Sequence, residues 1–145
     1  MADQALRSGL EELRALMESG RGMGIGETLR FRLVEIEDGR AVFEGEPGID
    51  VYNPIGTVHG GYAAALLDSA CGCAVHSRLS AAQGYSTLEL KVAYHKALTA
   101  STGVVRAVGS VVSMGRRAAF AEARLTDGGG RLYASATSTL IIMER

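Results

Sequence analysis

The sequence predicts an α+β domain in which an antiparallel sheet wraps around one central, buried helix. The run from Gly60 to about Leu79 is rich in Ala and Leu and apolar on every side of a helix, which is typical of a buried helix. Segments in which apolar and polar residues alternate lie on both sides of this run, and turns of hairpin length join the later ones. The order helix, two strands, buried helix, four strands favours one domain over residues 1–145.

The first element predicted is an amphipathic helix over residues 4–19, because Leu and Ala recur every three to four positions between charged residues. Gly20 and Gly22 end it, so residues 1–22 form a helical extension. Residues 29–37 then alternate with a period of two, and Asp38-Gly39 turns the chain into a second strand.

Residues 86–96 alternate most regularly after the buried helix. One face carries Leu88, Leu90, Val92 and Tyr94, and the other carries Thr87, Glu89, Lys91 and His95. Three more strands are predicted, over residues 103–113, 117–126 and 131–143. Turns at Met114-Gly115 and at residues 127–130 separate them, which indicates an antiparallel sheet.

Composition excludes several classes of function. Fifteen basic and sixteen acidic residues give a net charge of −1, which offers no basic surface for nucleic acid. The N-terminus lacks the pattern of a secretory signal, and the longest apolar stretch, about 15 residues, is too short to span a bilayer. Cys71 and Cys73 make no disulfide framework, and three scattered histidines make no metal set. We expect a cytoplasmic protein without membrane contact, metal or other cofactor.

The start of the buried helix is the first candidate site. His59-Gly60-Gly61 lies where the helix begins, after a loop marked by Pro54 and Gly56. The first N–H groups of a helix lack internal partners and lie at the positive end of its dipole. Two glycines allow another molecule to approach the main chain, so this end can hold an anion or a developing oxyanion. The alternative is that Gly60 and Gly61 only permit a tight turn.

Asp68 is the second candidate, because it interrupts the apolar helix. Burying an unpaired carboxylate costs several kcal/mol. The positions three and four residues away hold no Lys or Arg. Asp68 is therefore exposed, bonded to a distant partner, or placed in a site for its chemistry.

If Gly60 and Asp68 act in one active site, geometry requires that they come from different subunits. Gly60 and Asp68 are eight residues apart, which is about 12 Å along a helix axis. A base or nucleophile must lie about 3 Å from the atom that it attacks, beside the oxyanion donor. One helix cannot supply both, but two antiparallel copies related by a two-fold axis can. An active site here predicts a homodimer.

The run Asn53-Pro54-x-Gly56-x-x-His59-Gly60-Gly61, with Leu67-Asp68 and Thr87-x-Glu89-Leu90, resembles the hotdog-fold acyl-CoA thioesterases of the phenylacetate-degradation (PaaI) type. The resemblance extends from about Leu29 to Met143. It implies a hotdog fold, in which a curved antiparallel sheet wraps a central helix, and a CoA thioester as substrate. It also implies dimers that commonly pair into tetramers.

The resemblance implies roles for single residues. The Gly60 N–H would polarise the thioester carbonyl, and Asp68 of the partner subunit would be general base or nucleophile. Asn53 would position the water or the thioester, and His59 would order the loop near it. Thr87 would face the site at the start of a strand, with Ser86 beside it as the alternative. A Thr that one branch of the family carries four residues after the acid is Gly72 here.

Further residues are candidates for substrate binding. Gly61, Tyr62 and Leu66 adjoin the motif, and the last two either line an acyl pocket or pack in the core. Arg116 and Arg117 lie in a predicted turn, where they either hold the phosphates of CoA or are solvated. His76 is expected to cap the helix or lie on the surface.

Two other functions stay open. One is a hotdog hydratase or dehydratase acting on an acyl thioester, whose relatives usually pair a His with an acid. The other is an acyl-CoA-binding module without catalysis. Hydration of an enoyl thioester, or tight binding without thiol release, would identify them.

Overall fold

The computed structural model describes residues 6–22 and 24–145, and it has a six-stranded antiparallel sheet that curves around one long helix. The spatial order of the strands is β1-β2-β4-β5-β6-β3. The helices are α1 (Gly9–Ser19), α2 (Ile25–Leu29) and α3 (Gly60–His76). The strands are β1 (Phe31–Glu37), β2 (Arg40–Gly45), β3 (Gln83–Tyr94), β4 (Val105–Met114), β5 (Ala118–Asp127) and β6 (Leu132–Glu144). The predicted α+β hotdog fold is confirmed.

Helix α1 begins later than predicted, because Ser8 caps it. The Ser8 hydroxyl accepts a hydrogen bond from the Glu11 N–H, and the Glu11 carboxylate accepts one from the Ser8 N–H. Gly20 ends the helix in a left-handed conformation, as the sequence predicts. Residues 4 and 5 of the predicted helix lie outside the described residues.

The predicted start of the first strand at residue 29 is wrong by two residues. Residues 25–29 form α2, a single helical stretch that the sequence pattern did not predict. Arg30 ends it with a φ of 60°, and β1 begins at Phe31. A salt bridge between Arg30 and Asp50 holds this unusual backbone position.

The predicted alternation along β3 is also wrong, because the strand contains a bulge. Thr87 pairs with Leu140 and Glu89 pairs with Thr139, so Leu88 is an extra residue. As a result Thr87 faces α3, on the same side as Leu90, although a regular strand would place them on opposite faces.

Helix α3 lies in the centre of the core, and its backbone comes close to β4. A Cβ atom added at Gly109 of β4 would lie 2.2 Å from the carbonyl oxygen of Ala70. The helix therefore packs directly on the main chain of the strand at this point, and only glycine permits that approach. Leu66, Leu67 and Val75 fill the space between helix and sheet.

Strand β3 forms one edge of the sheet and β1 the other. None of the described helices has the length and apolar character needed to cross a membrane.

Candidate active site

The loop before α3 is held closed by Asn53. Its Oδ1 accepts hydrogen bonds from the N–H groups of Ile55 and Thr57, at 3.1 Å each, and its Nδ2 donates to the Thr57 hydroxyl at 2.9 Å. These bonds form an Asx-type turn that aims the chain into the helix. Nδ2 retains one further N–H that can donate to a bound molecule.

His59 is the N-cap of α3. Its Nδ1 accepts a hydrogen bond of 2.8 Å from the Gly61 N–H. Because that N–H is an obligatory donor, Nδ1 carries no proton, and the ring proton lies on Nε2, where it can be donated. Gly61 therefore has its N–H occupied by the cap.

Gly60 presents the free donor at this end of the helix. As the first helical residue it has no internal partner for its N–H, and no group among residues 6–22 and 24–145 accepts from it. The Tyr94 hydroxyl donates to the Gly60 carbonyl oxygen at 2.6 Å and so holds the next peptide unit, between Gly60 and Gly61. The donor thus lies at the positive end of the helix dipole.

These groups face a cleft of about 590 Å³. Asn53, His59, Gly60 and Gly61, all predicted from the sequence, line it together, and we call them the helix-start half of the site. The walls also include His95 and Lys96, which are not among the site residues predicted from the sequence. The feature that could have identified them is their position directly after β3, because the end of this strand contacts the start of α3.

Asp68 and Thr87 form a second group, which we call the carboxylate half. The Thr87 hydroxyl donates to Asp68 Oδ1 at 2.9 Å, so Asp68 has a distant partner, one of the alternatives that the sequence left open, and it is a threonine on β3. No salt bridge involves Asp68 in the described part of the chain. Ser86 is exposed on the opposite face of the strand, so Thr87 is the hydroxyl that reaches the carboxylate.

Within one chain the two halves do not meet. Since α3 is continuous from Gly60 to His76, Asp68 lies about 12 Å along its axis from Gly60. Asp68 does not line the cleft at the helix start. One chain therefore has the Gly60 N–H with no carboxylate beside it, and the Asp68 carboxylate with no oxyanion donor beside it.

Tyr62 and Leu66 pack in the core, which is the second of the two interpretations left open by the sequence. Tyr62 is 3% exposed, with its ring against Phe31, and Leu66 is fully buried. Burial raises the pKa of Tyr62 to about 12, and its hydroxyl has no hydrogen-bond partner among the described residues. Neither residue lines the cleft.

Arg116 and Arg117 lie away from the cleft of their own chain. They are exposed in the β4–β5 turn, where the Arg117 carbonyl accepts from the Ile142 N–H near the end of β6. That end of β6 lies beside the C-terminal end of α3, since Glu12 of α1 contacts both His76 and Arg145.

His76 binds α1 rather than solvent. Its Nε2 lies 3.0 Å from the Glu12 carboxylate. Tyr85 packs against the His76 ring and also occupies the space that a side chain at Gly72 would need, with a Cβ there only 3.0 Å from the Tyr85 ring. The Thr of the other family branch would therefore require the Tyr85 ring to move.

The two cysteines are unsuited to be nucleophiles. Burial raises the pKa of Cys71 and of Cys73 to about 12, so both thiols stay protonated at neutral pH.

A curved sheet around one helix defines a hotdog-type domain, and this helix has a free N–H at its start and a carboxylate halfway along it among the described residues. Residues 55–134 match the family described as the Thioesterase superfamily. This is more than half of the chain, and the chain belongs to that superfamily.

Individual relatives agree with this assignment. The chain is 26% identical over 123 residues to a 1,4-dihydroxy-2-naphthoyl-CoA hydrolase of Listeria monocytogenes, covering 85% of this chain and 98% of that protein. It is similar in structure to the TT0310 protein of Thermus thermophilus, with 31% identity, a TM-score of 0.73, and coverage of 81% of this chain and 95% of that one. A mutant of the phenylacetic acid degradation protein PaaI from the same organism gives 30% identity, a TM-score of 0.73, and coverage of 81% and 96%. The comparisons support thioester hydrolysis as the general chemistry.

Proposed function

We propose that this protein hydrolyses acyl-CoA or aryl-acyl-CoA thioesters to the free acid and CoA, in a site shared between two copies of the chain. The observation that carries the proposal is the Gly60 N–H, which has no acceptor among the described residues and belongs to a residue that lines a cleft, together with a carboxylate that accepts a hydrogen bond from Thr87. Each half lacks what the other supplies.

In the proposed reaction, water attacks the thioester carbonyl carbon while the Asp68 carboxylate of the partner subunit takes the proton from that water. The carbonyl electron pair moves onto oxygen, and the Gly60 N–H stabilises the resulting oxyanion. The oxyanion then collapses, the C–S bond breaks, and the CoA thiolate leaves with the proton that Asp68 held. Alternatively, Asp68 attacks the carbon directly, the C–S bond breaks, and the CoA thiolate leaves and takes a proton from solvent; water then hydrolyses the mixed anhydride to the free acid and the Asp68 carboxylate.

Strand β3 supports the shared site. It is a 12-residue edge strand with exposed apolar side chains at Leu88 and Tyr94. Such an edge favours pairing with another strand. Thr87 of the carboxylate half and Tyr94, which contacts Gly60, lie on this same strand. Antiparallel pairing about a two-fold axis therefore moves Thr87 of each copy towards Tyr94 of the other.

We also propose that two such dimers form a tetramer. The face of the sheet away from α3 exposes Phe120 and Met143, which gives a second dimer an apolar surface to cover.

Recognition of CoA requires cations near the shared site. Lys96 and His95 line the cleft beside Gly60, where they can meet phosphates. Arg116 and Arg117 lie at the other end of α3 in the same chain, so in the dimer they would serve the site that contains the partner's Gly60. Both sets are proposed as phosphate ligands.

The acyl group is proposed to be aromatic. The Listeria relative is a hydrolase of an aromatic CoA thioester, and the PaaI neighbour is a phenylacetic acid degradation protein. Phenylacetyl-CoA and hydroxybenzoyl-CoA are therefore the first substrates to assay, with short, medium and long acyl-CoA for comparison.

The test is thiol release from this panel by the wild type and by Asp68→Asn, with a thiol-reactive dye. Because the pKa of each of the protein's own thiols is raised to about 12, the dye reports released CoA. Loss of a general base costs roughly 10²–10⁴ in rate, so we expect kcat to fall at least about a hundredfold in the variant. A variant that turns over like the wild type would rule out this mechanism.

The hydratase alternative predicts no thiol release but hydration of an enoyl-CoA. It is less well supported, because His59 Nδ1 is occupied by the Gly61 N–H and no carboxylate among the described residues is paired with this ring. Binding of CoA thioesters by the folded protein without release of thiol would favour the binding module.

A further inference from the structure

We propose that Ser138 is a positioning residue for the carboxylate half, because it holds the bulge in β3 that turns Thr87 towards Asp68. The inference rests on the proposed function, in which Asp68 is the base or nucleophile. It concerns the strand β6, which contains none of the residues predicted from the sequence to act in the site.

The bulge is required for the contact between Thr87 and Asp68. Thr87 and Leu90 are three residues apart, and in a regular strand such residues point to opposite faces of the sheet. Leu90 packs against the core, so a regular β3 would turn Thr87 to solvent. The extra residue Leu88, which is 61% exposed, restores Thr87 to the inner face.

Two side chains of β6 hold the bulged strand in place. The Ser138 hydroxyl donates to the Glu89 carbonyl oxygen at 3.1 Å, directly after the extra residue. The Thr139 hydroxyl donates to the Glu89 carboxylate at 2.8 Å. Both bonds therefore end on the residue where the register of β3 changes.

Ser138 is a buried hydroxyl in apolar surroundings, which needs a reason. It is 2% exposed, and its neighbours on the inner face of β6 are Ala136 and Leu140. Burying a hydroxyl is unfavourable unless it forms a hydrogen bond, and a bulge leaves backbone groups without regular ladder partners. The bond to Glu89 offsets the burial of the Ser138 hydroxyl, and an alanine or valine at this position would leave the Glu89 carbonyl oxygen without this donor.

The consequence reaches the carboxylate through Thr87. Without the bond from Ser138, the Glu89 carbonyl loses a buried donor, and the strand gains by relaxing towards regular pairing. That relaxation rotates Thr87 away from α3. Asp68 then loses the one side-chain donor that holds Oδ1 among the described residues, and its carboxylate is free to rotate. Misplacement by a fraction of an ångström is enough to slow attack on a carbonyl.

The experiment compares Ser138→Ala with Ser77→Ala in the thiol-release assay. Ser77 is a matched control, since it is the other buried polar residue of the described chain and bonds to Gly39 and Ala74 rather than to the bulge. We expect Ser138→Ala to lower kcat about tenfold with KM within about twofold, as for a misplaced catalytic group. Ser77→Ala should lower the Tm without this loss of kcat.

A double-mutant cycle with Thr87→Ala separates positioning from general destabilisation. If Ser138 acts through Thr87, Ser138→Ala causes no further loss of kcat once Thr87 has been replaced. Equal losses in both backgrounds, or a wild-type kcat in Ser138→Ala, would overturn the inference. Should Ser138→Ala fail to fold, Thr139→Val weakens the same bulge from the solvent side, and the same cycle decides the question.

Asp68→Asn in the same assay keeps the two proposals distinguishable. If it retains full turnover, the proposed function fails. If it loses turnover while Ser138→Ala does not, the function stands and only the positioning role of Ser138 is wrong.

Discussion

The turn that leads into α3 is held by side chains that are neighbours in sequence, whereas Asp68, halfway along the same helix, is held by Thr87 of a distant strand. Asn53 and His59 bond to groups two to four residues away. Asp68 bonds to Thr87, which lies 19 positions later in the bulged strand β3. Ser138 of β6 contacts that strand at Glu89, 49 positions earlier in the chain. A local turn can tolerate small shifts of the sheet, but the carboxylate half moves with the register of β3. Substitutions far from the chemistry should therefore affect the carboxylate half first.

The largest effect should come from removing the free donor of the helix-start half. Gly60→Pro deletes the N–H, and proline suits the first helical position because that N–H has no helical partner. The ψ of 135° at His59 also fits a residue that precedes proline. Removal of one oxyanion donor typically costs about 10²–10³ in kcat, and we expect a loss of this size.

Gly60→Ala is the matched control for this variant. It adds a Cβ that would lie 3.1 Å from the exposed Tyr94 ring, which can move, and it keeps the N–H. Steady-state kinetics of both variants separate the donor from the space it occupies. Equal kcat values for the proline and alanine variants would mean that the N–H does not stabilise the transition state.

Pairing a chain defective in the helix-start half with a chain defective in the carboxylate half should restore about half of the wild-type activity. In a dimer of one Gly60→Pro chain and one Asp68→Asn chain, one of the two shared sites is intact and the other has both defects. Heterodimers isolated with two different affinity tags should therefore regain about half of the wild-type kcat per dimer, roughly a hundredfold above either parent. Heterodimers as inactive as their parents would show that each site belongs to one chain.

A smaller effect is expected at His59, where the cap and the donor can be separated. His59→Ala removes the N-cap, which typically costs about 1 kcal/mol of stability, and His59→Asn retains a side chain that caps well. We expect the asparagine variant to keep the Tm of the wild type but to lose several-fold in kcat, since it lacks the Nε2–H of a side chain that lines the cleft. A fully active asparagine variant would restrict His59 to the cap.

The smallest effect should be found at the far end of α3, where α1 is attached. The Arg145 guanidinium, together with His76, holds the pKa of Glu12 below its usual range. A lowered pKa in the folded state stabilises the protein above the ordinary carboxyl value, and this contribution disappears as the pH falls through the lowered pKa.

Glu12→Gln should therefore reduce the free energy of unfolding at pH 7 by no more than about 1 kcal/mol, with unchanged turnover. The difference between variant and wild type should vanish in acid, below the pKa of Glu12 in the folded protein. Thermal unfolding measured from pH 7 to pH 3 checks this. A loss of activity in the variant would mean that the attachment of α1 reaches the site.

The sequence pattern predicted the long elements and the helix-start half of the site. The apolar run that became α3, the Asp38-Gly39 turn and the turn at residues 127–130 depend on short-range preferences, and all three are present. Asn53, His59, Gly60 and Gly61 line one cleft because the motif is contiguous. Local chemistry was sufficient for these features.

Features that depend on pairing between distant strands were not predictable in this way. Alternation along β3 placed Thr87 on the wrong face, since nothing in residues 86–96 marks Leu88 as an extra residue. The bulge is contacted from β6, through Ser138 and Thr139. The family resemblance, rather than the alternation, led to the expectation that Thr87 faces the helix that carries Asp68, to which it is bonded.

The direct packing of α3 on Gly109 has a consequence for how this protein can change. Because no side chain lies between helix and strand at this point, the contact between the backbones of α3 and β4 sets the distance of the helix from the sheet. Substitutions in the cleft walls and at the subunit contact can then change acyl selectivity, while the spacing of the Gly60 N–H and the Asp68 carboxylate along α3 stays constant. Any larger residue at position 109 would lift the whole helix and disturb both halves together.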